Sequence, residues 1–490
     1  MKTQKTNATE FGRSRKSAIL AVSCMGLFVV GLDNTIINLA LPSIGRELGA
    51  SVSNLQWVID AYSVVLASLL LLAGSVGDRI GRKRVFQTGL VLFGLGSLLC
   101  SIAPSVQLLI VFRMLQAVGG SMLNPSSVSI ITNTFRERGE RARAIGIWGS
   151  VAGLSWALGP VLGGVLVDAA GWRSVFWINA PIALTAVVLV ARFVPESRAD
   201  RARSLDPIGQ LLVIALLATV TYAIIEAPQL GIRSPWIIGC AVVAVASAIA
   251  FVRYERRTDE PLLNIGFFAS APFSGAALIA VGSYGTVAGF LFLNALYLQE
   301  TRGFSPLSAG LLTLPAAIMI ALLAPVSGRV GGNHPRIPVT VGSLAMAVSS
   351  FLLAQLTEHS PLWQVAGAYA VFGLGFGFIN PAITNGAVSG MPPSQAGVAA
   401  AVASAGRQVG ATLGVAVLGS VVTARIVGPV STGFVAAAHL GWLIMAATGL
   451  GLFVVGLSTT GRWALRTVQV FDEPRNGRSG HLDPLTVRAE

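Results

Sequence analysis

The sequence predicts an all-α membrane protein with fourteen transmembrane helices, arranged as two six-helix bundles plus two extra central helices. Three observations lead there. Hydrophobic residues make up 53% of the chain and charged residues only 11%, whereas soluble domains carry about 25% charged residues. The apolar residues fall into fourteen runs, each close to the ~20 residues that a bilayer-crossing helix needs. Basic residues are divided unevenly between the connections. Of 34 Lys and Arg, 27 lie on one side, five on the other, and two, Arg113 and Arg407, within runs. That bias places the basic side in the cytoplasm, with both termini.

The runs span 18–40, 54–73, 85–103, 106–131, 144–167, 174–193, 208–226, 235–252, 273–298, 308–328, 337–356, 362–386, 398–423 and 436–460. Two connections are longer than the rest and set the organisation. Residues 1–17 form a cytoplasmic tail and 18–193 the N-terminal bundle. A linker, 194–207, leads to the extra pair, 208–252. A second linker, 253–272, leads to the C-terminal bundle, 273–460, and a cytoplasmic tail, 461–490. The apolar run behind Lys16 is too long for a cleaved leader, and no small-residue cleavage site follows it. It reads as a retained first span.

Several functions are excluded. The net charge of +13 resides in short loops and tails, with no basic domain, so no nucleic-acid partner is expected. Cys24, Cys100 and Cys240 each sit in an apolar run, without metal-ligand spacing. His334, His359, His439 and His481 lie in loops or near span ends. No Gly-Lys-Ser/Thr phosphate loop is present. No metal, cofactor or catalytic residue is expected, and the chain does not read as an enzyme.

The first span carries Asp33 deep inside, with Asn34 and Asn38. A carboxylate in hydrocarbon is costly and marks a functional site by default. In the second span, Gln56, Asp60 and Ser63 share a helical face. In the fourth, Arg113, Gln116, Gly120 and Asn124 do the same. At 1.5 Å per residue, Asp33, Asp60 and Arg113 fall at similar depth in the outer half. They are expected to face a shared aqueous cavity and to exchange protons there. In the fifth span, Gly149, Gly153, Ala157, Pro160 and Gly164 lie on one face, which permits close approach and a bend. In the ninth and twelfth spans, Asn294 and Asn380 are candidate polar contacts for a substrate, with Phe290, Phe376 and Phe378 as apolar ones. Glu226, near the outer end of the extra pair, is expected in a loop.

Five motifs in order resemble a known family. Gly74-Ser-Val-Gly-Asp78-Arg79-Ile-Gly81-Arg82-Lys83-Arg84, between spans two and three, resembles the signature loop of the major facilitator superfamily. Residues 32–42, Leu-Asp-Asn-Thr-Ile-Ile-Asn-Leu-Ala-Leu-Pro, resemble the first-span motif of its drug:proton antiporter branch with fourteen spans. Leu109 to Gly120 resembles the fourth-span motif, with Ala117 where the family usually has Gly. Gly149-x3-Gly153 and Gly159-Pro160-x2-Gly163-Gly164 resemble the fifth-span antiporter motif. Gly171-Trp172-Arg173-x2-Phe176-x-Ile178-Asn179-x-Pro181 is similar to its usual continuation. The second half echoes the first faintly, in Ser327-Gly328-Arg329-Val330-Gly331 and in Gly406, Gly410 and Gly414 beside Arg407.

The resemblance implies a proton-coupled antiporter that exports amphipathic drugs or a natural product across a bacterial plasma membrane. Its partners are then a small amphipathic molecule, protons and the lipid bilayer. Asp33, Arg113 and Asp60 are expected to couple protons. Asn34, Asn38, Gln56, Gln116, Asn124, Asn294 and Asn380 are expected along the substrate path. Gly74, Asp78, Arg79, Gly81, Arg82, Gly153, Gly159, Pro160 and Arg407 are expected to serve conformational change, the signature loop acting as a charge latch between the halves. A proton-driven importer of the same superfamily is the alternative.

Overall fold

The computed structural model of the chain describes residues 12–135, 137–198, 205–258, 261–388 and 396–467, and no side chain is described at Ala157. Residues 1–11 and 468–490 of the predicted tails, and 199–204 and 259–260 of the predicted linkers, lie outside the described residues. The described residues contain no strand.

The first bundle comprises α1 (Arg13–Leu48), α2 (Val52–Ile80), α3 (Arg82–Ser101), α4 (Val106–Thr134), α5 (Arg138–Ala170) and α6 (Ser174–Phe193). The central pair is α7 (Pro207–Leu230) and α8 (Pro235–Glu255). The second bundle comprises α9 (Ala271–Thr301), α10 (Pro306–Gly332), α11 (Arg336–Ala354), α12 (Leu362–Val388), α13 (Ala396–Arg425) and α14 (Val430–Thr459). Thirteen of these are long and apolar enough to cross a membrane. The fourteenth, α5, bends by 42° between Gly139–Trp156 and Leu158–Ala170, just before Pro160, whose missing N–H weakens the helix there.

Local chemistry sets the boundaries. Ser51, Ser105 and Ser305 each cap the helix that follows, accepting a hydrogen bond from the backbone N–H three residues on. Asp206 does so for α7, followed by Pro207 in the first turn. α1 stops at Gly49, which adopts the left-handed conformation at φ 63°. Between α2 and α3 the chain turns in a single residue, Gly81, at φ 121°. Gly77 is a helical residue of α2 whose carbonyl accepts the Gly81 N–H at 3.1 Å. α1 and α5, at 36 and 33 residues, are longer than a bilayer requires and project beyond the predicted spans.

The bundles are related in their packing. α1 packs on α5, α2 on α4, α3 on α4 and on α6. The same pairs recur eight helices later, as α9–α13, α10–α12, α11–α12 and α11–α14. Small residues bring the backbones together. A methyl group on Gly414 would stand 2.5 Å from the Cα of Gly285, and one on Gly96 2.6 Å from the Cα of Gln116. The α3–α4 contact is therefore close despite Ala117. α7 lies against both α2 and α13, and α8 packs on α7.

The face where α1 begins and where the α2–α3 turn lies is called the basic face below, and the opposite one the far face.

Candidate functional site

Asp33 sits at the centre of the first bundle, 1% exposed. Three side chains donate to it. Arg113 Nη1 approaches Oδ2 at 2.5 Å, and the amides of Gln116 and Asn179 approach Oδ1 at 2.9 Å each. Both amides also reach Ser97 Oγ, at 2.8 and 2.9 Å. Arg113 is held in turn by Gln116 Oε1 at 2.8 Å and by the carbonyl of Val58 at 3.2 Å. Its guanidinium lies over the ring of Tyr62, 4.1 Å from the centroid. Thus α1, α2, α3, α4 and α6 all converge on one ion pair. The short side chains of Ser97 and Asn179 fit where α3, α4 and α6 crowd together. Asp33 acts only as an acceptor in these contacts.

The predicted Arg113–Gln116 stripe therefore does meet Asp33, but as a sealed polar cluster. Gln116 is fully buried and does not line an open cavity. Two members were missed from the sequence. Asn179 had a signal, its place in the Gly171-to-Pro181 motif, whereas Ser97 had none.

Asp60 stands apart from this network. It is fully buried and neither of its carboxyl oxygens has a hydrogen-bond partner. Gln56, expected along the substrate path, instead reaches across to the second bundle. Its amide donates to the carbonyls of Val415 and Ala416 on α13, at 3.2 and 3.0 Å. Asn294 is buried and receives the hydroxyl of Tyr369, again away from any open space. Phe290 stacks on Phe372 with centroids 4.2 Å apart, so it is core. Asn38 donates to the carbonyl of Asn34 on its own helix, at 3.2 Å. The side-chain carbonyls of Asn38 and Asn124 are buried without a partner. Glu226, expected in a loop, lies within α7 and accepts from Trp57 Nε1 at 2.7 Å.

The bundles meet at the far face and part at the basic face. At the far face, Gln299 Nε2 donates to the carbonyl of Leu39 at 3.0 Å, and Arg46 pairs with Glu300 at 2.6 Å. Both second-bundle residues belong to a π-helical last turn of α9, Tyr297–Thr301. One face of α5 shows the divergence best. Gly164 abuts Pro306 and Leu307 of α10, and Gly310 of α10 abuts the carbonyl of Pro160. A turn nearer the basic face, Trp156 touches Tyr284 and Phe376 of the second bundle, with centroids 5.8 and 6.0 Å away. Farther on, Gly153, Gly149 and Gly146 have open space around them. Gly159 does not face the other bundle; it packs on Thr35 of α1.

Trp156, Tyr284 and Phe376 thus form the roof of the opening. Tyr284 donates to Asn380 Oδ1 at 3.0 Å. Arg407, expected with the gating residues, lies beside this roof. It donates to Thr384 Oγ1, its guanidinium stands 5.8 Å from the Tyr284 ring centroid, and its Nε has no partner.

At the basic face, Asp78 accepts from Arg82 of the next turn, through Nε at 3.0 Å and Nη2 at 2.8 Å. Glu196, beyond α6, accepts from the backbone of Lys83 at 3.1 Å and pairs with Arg84 at 3.7 Å. Its carboxylate would collide with any side chain at Gly81. A methyl group at Gly74 would meet Pro125 of α4 at an ordinary contact distance, and Arg79 is exposed. Asp78, Lys83 and Arg84 thus find these partners within the first bundle and the segment that directly follows it.

A buried ion pair in one of two related helix bundles, joined at one face and parted at the other, defines a membrane transport protein. The match to a family model described as Major Facilitator Superfamily covers residues 23–415, and the chain belongs to that family. It is 36% identical over 406 residues to the multidrug resistance protein Stp of Mycobacterium tuberculosis, covering 83% of this chain and 75% of that one. It is 35% identical over 416 residues to the tetracenomycin C resistance and export protein of Streptomyces glaucescens, covering 84% and 77%. It is 37% identical over 414 residues to the puromycin resistance protein of Streptomyces alboniger, covering 82% and 81%. Among solved structures, it resembles a bacterial homologue of the human lysosomal transporter Spinster in an inward-facing, unoccupied conformation. The TM-score is 0.67 at 18% identity, over 94% of this chain and 98% of that one.

Proposed function

We propose that this protein is a proton-coupled antiporter that exports amphipathic drugs or a natural product by alternating access, and that it is not an enzyme. The relatives named for resistance support export over import. In this reading the basic face is cytoplasmic and holds both termini, so the form described is open to the cytoplasm. The chain divides at 194–207 and 253–272 into the two bundles and the central pair.

The observation that carries the proposal is the one-sided closure, joined at Gly164–Pro306 and Arg46–Glu300 and open at Gly153 and Gly149. Rocking of the bundles about the Trp156–Tyr284–Phe376 roof exchanges the open face, as in transporters with a midplane site. The signature loop closes on the second half when the basic face shuts. Coupling rests on two acids with different surroundings. Asp33 is committed to Arg113, Gln116 and Asn179, whereas Asp60 is committed to no partner and is the group available for proton exchange. Movement of α1, α2 and α4 changes the separation of these carboxyls from Arg113, and with it their proton affinity. Asn34, Asn38, Asn124 and Asn380 supply polar contacts to the path.

The test is transport by the full chain in proteoliposomes. An imposed proton gradient should drive accumulation of an aromatic amphipathic dye, and a protonophore should abolish it. Accumulation that persists without a gradient and depends on ATP would reject the proposal.

A further inference from the structure

Among the described residues, the cation beside the aromatic roof is Arg407. Within the helices α9 to α14 themselves the sequence has no Asp or Glu except Glu300, which is paired with Arg46 at the far face; Glu358 lies in the connection between α11 and α12. Arg407 lies eleven residues into α13, about 17 Å along the helix axis. The helices packed against α13 include α2, α7, α9, α12 and α14. Their carboxylates do not answer it. Asp60 is fully buried, Asp78 is paired with Arg82, and Glu226 is taken by Trp57. Asp33 is sealed with Arg113.

Arg407 has five N–H donors in a planar fork. One is used on Thr384, and the buried Nε is unpartnered. A buried donor without an acceptor costs about 1–3 kcal/mol. Arg407 is partly exposed, and Thr384 lies one turn from Asn380 toward the basic face. The guanidinium is therefore on the open side of the aromatic roof. Any molecule lying against Trp156 and Tyr284 has this cation within reach and no open carboxylate to offset a positive charge of its own.

Resting on the export reading above, we propose that Arg407 is the substrate anchor and that the preferred cargo is an aromatic anion. Its carboxylate or acidic phenolate accepts from the Arg407 fork, in the geometry that guanidinium matches best. Its ring system lies against Trp156 and Tyr284. Lipophilic cations meet like-charge repulsion in a low-dielectric site and are disfavoured.

The experiment measures dye binding to the purified full chain by fluorescence polarisation at pH 7.5, alongside transport in proteoliposomes. Fluorescein serves as the anionic probe, ethidium as the cationic one and Nile red as the neutral one. The expected result is fluorescein binding at least tenfold tighter than ethidium binding. Arg407→Gln should weaken fluorescein binding tenfold or more and leave Nile red binding within twofold. Arg407→Lys should fall between. Ethidium binding as tight as fluorescein binding in the wild-type chain overturns the proposal, with or without a folded variant. So does unchanged fluorescein binding by a folded Arg407→Gln. If fluorescein binds through Arg407 but no probe is pumped, the anchor stands and the export reading fails. If ethidium is bound and pumped best, the reverse holds.

Discussion

Arg113 and Asp33 form an ion pair at 2.5 Å with each side chain 1% exposed. A charged pair at this depth is fixed by what surrounds it. Two amides, a hydroxyl and a backbone carbonyl satisfy the remaining donors and acceptors. Removing either partner alone leaves the other charge stranded, which costs about 3–5 kcal/mol. Arg113→Ala should therefore lower the unfolding temperature sharply in detergent. Combining it with Asp33→Asn should recover a large part of that loss while gradient-driven efflux stays absent. A double variant that pumps would show the pair to be structural only.

Asp60 should behave differently. With no hydrogen bond to lose, Asp60→Asn should change stability by no more than about 1 kcal/mol, the centre of the usual range for point substitutions. Uptake driven by the proton gradient should fall tenfold or more. Exchange of labelled for unlabelled substrate, which needs no proton, should continue. Loss of both activities together would place Asp60 in substrate binding.

The α5–α10 contact at the far face leaves no room for a side chain at Gly164, where a methyl group would stand 2.5 Å from the carbonyl oxygen of Pro306. Overpacking of this kind costs about 1–3 kcal/mol. Gly164→Val should tilt the equilibrium away from far-face closure. Cysteines placed at positions 46 and 300, bridged by a short bifunctional maleimide, report it. The bridge should form readily in the parent and several-fold less with Gly164→Val. An unchanged yield would mean that the contact is not part of the gate.

If the cargo is anionic, the membrane potential also enters. Moving one anion out and one proton in displaces two positive charges inward per cycle, at ~2.3 kcal/mol per charge per 100 mV. Fluorescein transport should then accelerate when a potassium diffusion potential is imposed at zero pH gradient. A cation exchanged for one proton would show no such response.

The helices were legible because hydrocarbon demands long apolar runs. Asp33, Arg113 and Gln116 were legible because polar residues in such runs are conspicuous and their spacing placed them on facing stripes. Partners that are small or lie far along the chain were not. Ser97 looks like any packing serine. Gln56 reads as a cavity residue until α13 is seen to offer it two carbonyls. Arg407 reads as part of a glycine-rich hinge. Gly410 and Gly414 do pack on α9, against Val281 and Gly285, but the arginine between them and Gly406 turns toward Thr384 and Tyr284. Side-chain direction across two helices is a tertiary property, which periodicity along one helix does not contain.

The central pair has an effect on traffic from the lipid phase. α7 is tied to α2 through Gln210 to the Ser68 carbonyl and through Trp57 to Glu226, and to α13 through Ser420 to the Ile224 carbonyl at 2.7 Å. It thereby stands astride one of the two lateral seams between the halves. Greasy molecules dissolved in the leaflet at the basic face find that seam boarded over. Sideways entry is left to the opposite one, between α5 and α10, so membrane-borne cargo reaches the chamber from a single flank.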